Sequence, residues 1–454
     1  MNQRLFFGVA ACVCFFCFGF SRAGDSTDVK FTPFGWGAVE VGQIESGFYE
    51  WPSQDIGAID HVWQQRAFGK LGYDVVYKNN LEINISGEGL YAFSTPQIGK
   101  DPQTMEPRSF FYVKTANATY SFLNSEQYGL KLQLGFFPYK YSPDVRNLGE
   151  YLFRSNAYPL LVYTDFDWPK ADMLGARAHF QYESSNKLLL LQDDFLLNSE
   201  LYTVPVQDWS LSDVFSAKLL DAITVGGGVS FCNLLSVYQG KYMGGIAVEK
   251  YFNLDSATAR AKGFYLGNAD GDSEFFDWKS TKLMGRVSFD LKKLLPSDLF
   301  GKNDLMLYGE SDIIGLKNYP KYFTDLKDRI FYSVGFNIPG FKIFDVVNFE
   351  MEYCRDTSAF SDYNLLGGAT PYPFPVGLNT SNSSLGYNVN RNQVRLSAYI
   401  KKSVLDGRVD FVFQCARDHK RINFYYFDYN YMSFMETLPS GNNWWWVFKT
   451  EFNF

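Results

Sequence analysis

Histidine is the commonest general base, and the chain has three: His61, His179 and His419. His179 lies beside Ala178 and Phe180 in an alternating stretch and falls on its polar parity, while the other two fall in expected loops. A lipase built into a membrane barrel needs a Ser–His pair facing lipid, so His179 points the wrong way and no catalysis is expected. The acidic run NADGDSE, Asn268 to Glu274, offers oxygen ligands of the kind calcium takes. Its glycine spacing does not fit a helix–loop–helix calcium site, and the expectation is a solvated loop with no metal or cofactor. The segment GFFPYKYSPDVRNLGEYLFRSNAYP, Gly135 to Pro159, is different: Asp144, Arg146, Glu150 and Arg154 bring both charge signs into one short stretch, with Tyr151 and Tyr158 as bulk. Such a stretch offers charge and bulk rather than a catalytic set.

The elements that would position these residues show a period of two. In LKLQLGF, Leu130, Leu132, Leu134 and Phe136 share one face, and Lys131, Gln133 and Gly135 the other. GRVSFDL sets Val287, Phe289 and Leu291 against Arg286, Ser288 and Asp290, and VRLSAYIKK sets Val394, Leu396, Ala398 and Ile400 against Arg395, Ser397, Tyr399 and Lys401. Arg408, Asp410, Gln414, Glu350 and Glu352 take the wet parity in two further stretches. The pattern continues through WWWVFKTEFNF, where Trp446, Phe448, Phe452 and Phe454 oppose Val447, Lys449, Glu451 and Asn453. These are strands with one greasy and one wet face.

Residues 1–23 have a basic start at Arg4, an uncharged apolar stretch from Leu5 to Phe20, and small residues at Ser21 and Ala23. That is the layout of a cleavable secretory signal, leaving 24–454 as a single domain. VAAC at Val9 to Cys12 also fits a lipoprotein signal loosely. Without residues 1–23, 40 basic and 49 acidic residues remain, a formal charge of −9. An acidic chain argues against nucleic acid, whose recognition rests on clustered Lys and Arg. The remaining cysteines, Cys232, Cys354 and Cys415, show no disulfide or metal spacing. Uncharged windows at Tyr363 to Asn390 and Ala222 to Gly240 read as a Pro-broken loop and a strand rather than membrane helices.

Connections alternate in length. Short ones fall near 77–80, 123–126, 183–186, 219–222, 294–303, 337–342 and 403–407; long ones span 50–65, 95–108, 140–170, 198–212, 234–280, 313–328, 356–388 and 419–442. They join about sixteen strands, with 198–280 allowing a redrawing to fourteen or eighteen. The fold class expected is all-β: a transmembrane antiparallel β-barrel with long outer loops and short periplasmic turns, closed because hydrocarbon offers no partner to an open sheet edge.

Arrangement and terminal Phe454 resemble the bacterial outer-membrane porins, specifically the general porins. The resemblance implies a third loop folded into the lumen, with Asp144, Arg146, Glu150, Tyr151 and Arg154 at a constriction and Lys70, Lys131 and Arg177 on the wall opposite. It implies passive diffusion of small hydrophilic solutes and ions, contact with outer-membrane lipid, assembly machinery that reads the strand ending at Phe454, and a homotrimer. Two alternatives stay open. The aromatic segments FYYFDYNY, Phe424 to Tyr431, and PYPFP, Pro371 to Pro375, suit a substrate-specific, oligosaccharide-type channel, and 234–280 is long enough to plug an adhesin or structural barrel.

Overall fold

The computed structural model describes residues 28–50, 56–96, 105–153, 162–165, 168–199, 208–235, 263–267, 273–277, 279–295, 299–317, 325–354, 393–417, 421–425, 432–436 and 444–454. The proposed signal, Arg154, Tyr158, His419, Phe424 to Tyr431 as a whole, Pro371 to Pro375 and most of the calcium-like run lie outside the described residues or have undescribed side chains.

Sixteen long strands form the wall: β1 Val29–Glu50, β2 Ile56–Tyr77, β3 Leu81–Pro96, β4 Met105–Asn124, β5 Tyr128–Tyr139, β6 Trp168–Glu183, β7 Leu189–Ser199, β8 Trp209–Leu219, β9 Ile223–Leu235, β10 Ser280–Asp290, β11 Met306–Ile313, β12 Ile330–Asn337, β13 Val346–Cys354, β14 Gln393–Val404, β15 Val409–Arg417 and β16 Trp444–Asn453. Each pairs antiparallel with its chain neighbours, and β1 pairs with both β2 and β16, so the sheet closes. Phe454 completes the seam: its N–H donates to the Gly35 carbonyl at 3.0 Å, and the Gly35 N–H to its carbonyl at 2.7 Å.

The ambiguity at 198–280 resolves to sixteen. β9 pairs directly with β10, from Ile223↔Phe289 to Cys232↔Ser280, so the segment between them inserts no wall strand. Its described part is a separate hairpin, Gly263–Gly267 with Ser273–Asp277. Two expected long loops are corrected. Strand pairing runs on to Glu50↔Ile56 and Pro96↔Met105, so 50–65 is mostly strand, the described ends of 95–108 are strand too, and His61 belongs to β2. Both strands of the first hairpin are 22 residues long, against the roughly 10 a tilted membrane strand requires. Polar residues in a hairpin arm that outruns the bilayer look like loop residues.

At the other end, turns are tight. Lys78 and Asn79, Leu220 and Asp221, and Leu405 and Asp406 all have positive φ, the primed-turn geometry that matches strand twist. Between turns and loops the outer wall is apolar: Leu71, Ile85, Leu134, Phe349, Leu396 and Phe448 are exposed. Inward neighbours are polar, including Glu88, Glu310, Glu350, Arg395 and Gln414, which are buried. A soluble protein would bury the first set; an apolar outer wall around a polar interior is the pattern of a membrane-spanning barrel. One departure stands out. Asp193 lies opposite Phe180 and Phe215, and Asp213 opposite Phe195 and Val229, on the outward parity, and the two carboxyls hydrogen-bond to each other. Among the described residues no helix is long and apolar enough to cross a membrane.

Candidate functional site

The site starts where β5 leaves the wall. Its pairing with β4 ends at Ala116↔Phe136, while pairing with β6 continues to Tyr139↔Ala171. Gly135 stands at the departure with φ +119, where a Cβ would press on the Ala116 carbonyl. The chain bends inward there, and Phe137, Tyr139, Tyr141, Leu152 and Phe153 become buried inside the barrel. They form one cluster with Met173 of β6, Leu196 of β7, Val214 of β8 and Met284 of β10. This apolar patch on inward positions gives the loop a reason to enter.

Its far side is held by carboxylates of the opposite wall. Glu350 of β13 accepts from the N–H groups of Arg146, Asn147 and Leu148 at 2.6, 2.7 and 2.8 Å. Glu310 of β11 accepts from the Glu150 and Tyr151 N–H groups at 3.2 and 2.8 Å and from the Tyr141 hydroxyl at 2.7 Å. The Tyr151 hydroxyl donates to Glu352, which also pairs with Arg395 at 2.8 Å. Tyr308 lies across Gly335, where any side chain would collide with its ring, and donates to Glu350. The loop therefore spans the lumen from β5 to β11–β13.

Structure places the expected loop residues unevenly. Glu150, at φ 64, turns into the loop and accepts from the Tyr141 N–H at 3.3 Å and from the Ser142 N–H. Burial pushes its carboxyl up to about 8, opposed by Lys140 and reinforced by Glu310. Lys140 is pulled down to about 8 by burial, against the pull of Glu150. Asp144 is raised by burial, though Arg146 and Arg286 oppose this and Ser288 hydrogen-bonds it, which puts it against β10. Arg146 is buried, its guanidinium 5.8 Å from the Tyr399 ring centroid. Tyr151 is fully buried and stacks on Phe331 at 5.4 Å. Neither loop acid faces the basic wall.

That wall is a unit. Lys70, Lys131 and Arg177 line one cavity of about 450 Å³ on the tight-turn side of the loop, with Glu82, Asn84 and His179. Arg177 grips Asp194 at 2.7 and 3.0 Å, and the same carboxylate takes His179 Nδ1 at 2.7 Å and the Tyr139 hydroxyl at 3.0 Å. Lys70 sits 5.2 Å from the Phe34 ring centroid. At the height of the loop, inward side chains are buried around the wall, among them the pairs Arg66–Glu40 at 2.6 Å and Lys114–Asp172 at 3.1 Å, and Lys282, Gln414 and Lys449.

Alternation had put Glu350 and Glu352 on the wet face, but their grip on the loop, and the parts played by Tyr141, Tyr308 and Glu310, escaped sequence reasoning. MLYGESDI carries the usable signal, since Tyr308, Glu310 and Asp312 share the inward parity. Among the described residues no group of His, Cys, Asp and Glu is arranged to hold a metal.

No family model matches the chain, and no curated protein matches it. Among solved structures it is similar to OprB of Pseudomonas putida, at 10% identity and TM-score 0.46, covering 96% of this chain and 97% of that one. It is also similar to a triple mutant of the Rhodopseudomonas blastica porin, at 7% identity and TM-score 0.36, covering 94% and 100%. Likenesses this distant do not define a family.

Proposed function

We propose that this chain is an outer-membrane porin, a passive channel for small hydrophilic solutes and ions, narrowed by the loop between β5 and β6. A single observation carries the reading: a loop clasped across a polar lumen, above a water-accessible cavity of about 450 Å³ lined by Lys70, Lys131 and Arg177. Solutes on the tight-turn side meet this cavity, where Lys131 and Glu82 are exposed, before they reach the loop. Pore width sets the size limit and lumenal charge biases ion preference. Export through residues 1–23, recognition of β16 by the assembly machinery and trimerisation belong to the same proposal.

A plugged barrel is the second reading, favoured by the belt of buried inward side chains at loop height. Purified protein in a planar bilayer separates the two. Stable stepwise conductance is the expected result; silence in protein that is folded by heat-modifiable gel shift supports the plug.

A further inference from the structure

The cavity beneath the loop holds two charges that the protein leaves unanswered. Among the described residues, Lys131 on β5 and Glu82 on β3 make no hydrogen bond or ion pair, yet both are exposed and line the same space. Arg177 is different, because Asp194 holds it with two hydrogen bonds. Glu82 lies opposite Thr119, and Thr119 opposite Gln133, while Lys131 lies opposite Ser121. The two charges thus stand on strands two apart and staggered by two residues along them, about 12 Å at the backbone. Asn84, Thr119 and Gln133 supply amide and hydroxyl groups to the same cavity.

From this juxtaposition we infer that the cavity is a binding site for zwitterions of the amino-acid or short-peptide class, whose ammonium meets Glu82 and whose carboxylate meets Lys131. A simple anion is attracted by Lys131 and repelled by Glu82, and a simple cation the reverse. A solute carrying both charges a few ångströms apart is favoured by both, in a cavity whose low-dielectric wall limits screening. Amide and hydroxyl groups between the charges satisfy the peptide or α-amino groups that enter.

This inference deepens the channel reading and rests on it. The test is swelling of proteoliposomes in glycylglycine against N-acetylglycinamide, a neutral solute of similar size. Wild type should admit glycylglycine about threefold faster or more; Glu82→Gln or Lys131→Gln alone should bring the two rates together. The charge-swapped double variant, Glu82→Lys with Lys131→Glu, should restore the preference with the solute reversed. If the neutral solute enters and glycylglycine enters no faster, the channel stands and the zwitterion site falls. A preference that survives both single variants also overturns it. If neither solute enters, the channel reading falls and takes the site with it.

Discussion

Three consecutive loop amides donate to the Glu350 carboxylate, an arrangement in which one side chain fixes the position of a whole loop. Because buried N–H groups left without an acceptor cost about 1–3 kcal/mol each, Glu350→Ala should destabilise the loop by about 3–5 kcal/mol. Limited proteolysis within 140–153 should then become fast while the barrel still shifts on heating; a loop as resistant as wild type would show that the apolar cluster alone holds it. Glu150 titrates in the opposite sense to an ordinary paired acid. Burial raises it from 4.5 to about 8, so the folded loop holds a proton that the unfolded chain releases, and the stability this proton confers is present below about 4.5 and lost as pH rises through about 8. Thermal midpoints of wild type measured against Glu150→Gln should therefore diverge between pH 5 and 8, wild type losing ground, and run parallel above. A constant difference across that range would place the Glu150 carboxyl in solvent.

At the scale of elements, β16 makes the seam. It pairs with β1 through Gly37↔Phe452 and with β15 through Val409↔Phe452, and the Phe454 ring lies over Gly35, where a Cβ would collide with it. Phe454→Ser keeps the two backbone bonds to Gly35 and removes the ring. Heat-modifiable barrel in the outer membrane should fall severalfold; unchanged levels would mean that the assembly machinery reads something other than this ring. The seam also explains a feature of composition. Glycine at position 35 serves an aromatic residue at the far end of the chain, a pairing invisible to any local reading.

For the whole molecule, orientation and the outer wall are the quantities to test. With tight turns inside the cell envelope and long connections outside, His61→Cys should react with an impermeant thiol reagent on intact cells, and Leu405→Cys, also exposed, should not. The reverse pattern inverts the barrel. Hydrocarbon offers the outward Asp193–Asp213 pair no partner beyond each other. Replacing both with Leu should raise stability by up to about 2 kcal/mol, read as a higher unfolding temperature, since acidic groups on a lipid face cost somewhat less than basic ones. A fall instead would mean that something other than lipid covers β7 and β8.

Apart from the outer arms of the first two hairpins, the strands, their inward and outward faces and the short turns were legible in the sequence, because a side-chain period of two is local and the two sides of the wall differ so sharply in polarity. Lys70, Lys131 and Arg177 were placed on the lumen side by the same parity. Position along the pore was not legible, nor was the direction taken by a loop residue. Glu150 reads as a pore-lining acid and turns instead into its own loop, because the chain bends inward at Gly135 and is clasped there by Glu310 and Glu350, from strands more than 150 residues away. Parity determines which side of a wall a residue faces. What it meets there depends on closure of the barrel, which brings β5 and β13 across from each other and which no local pattern encodes.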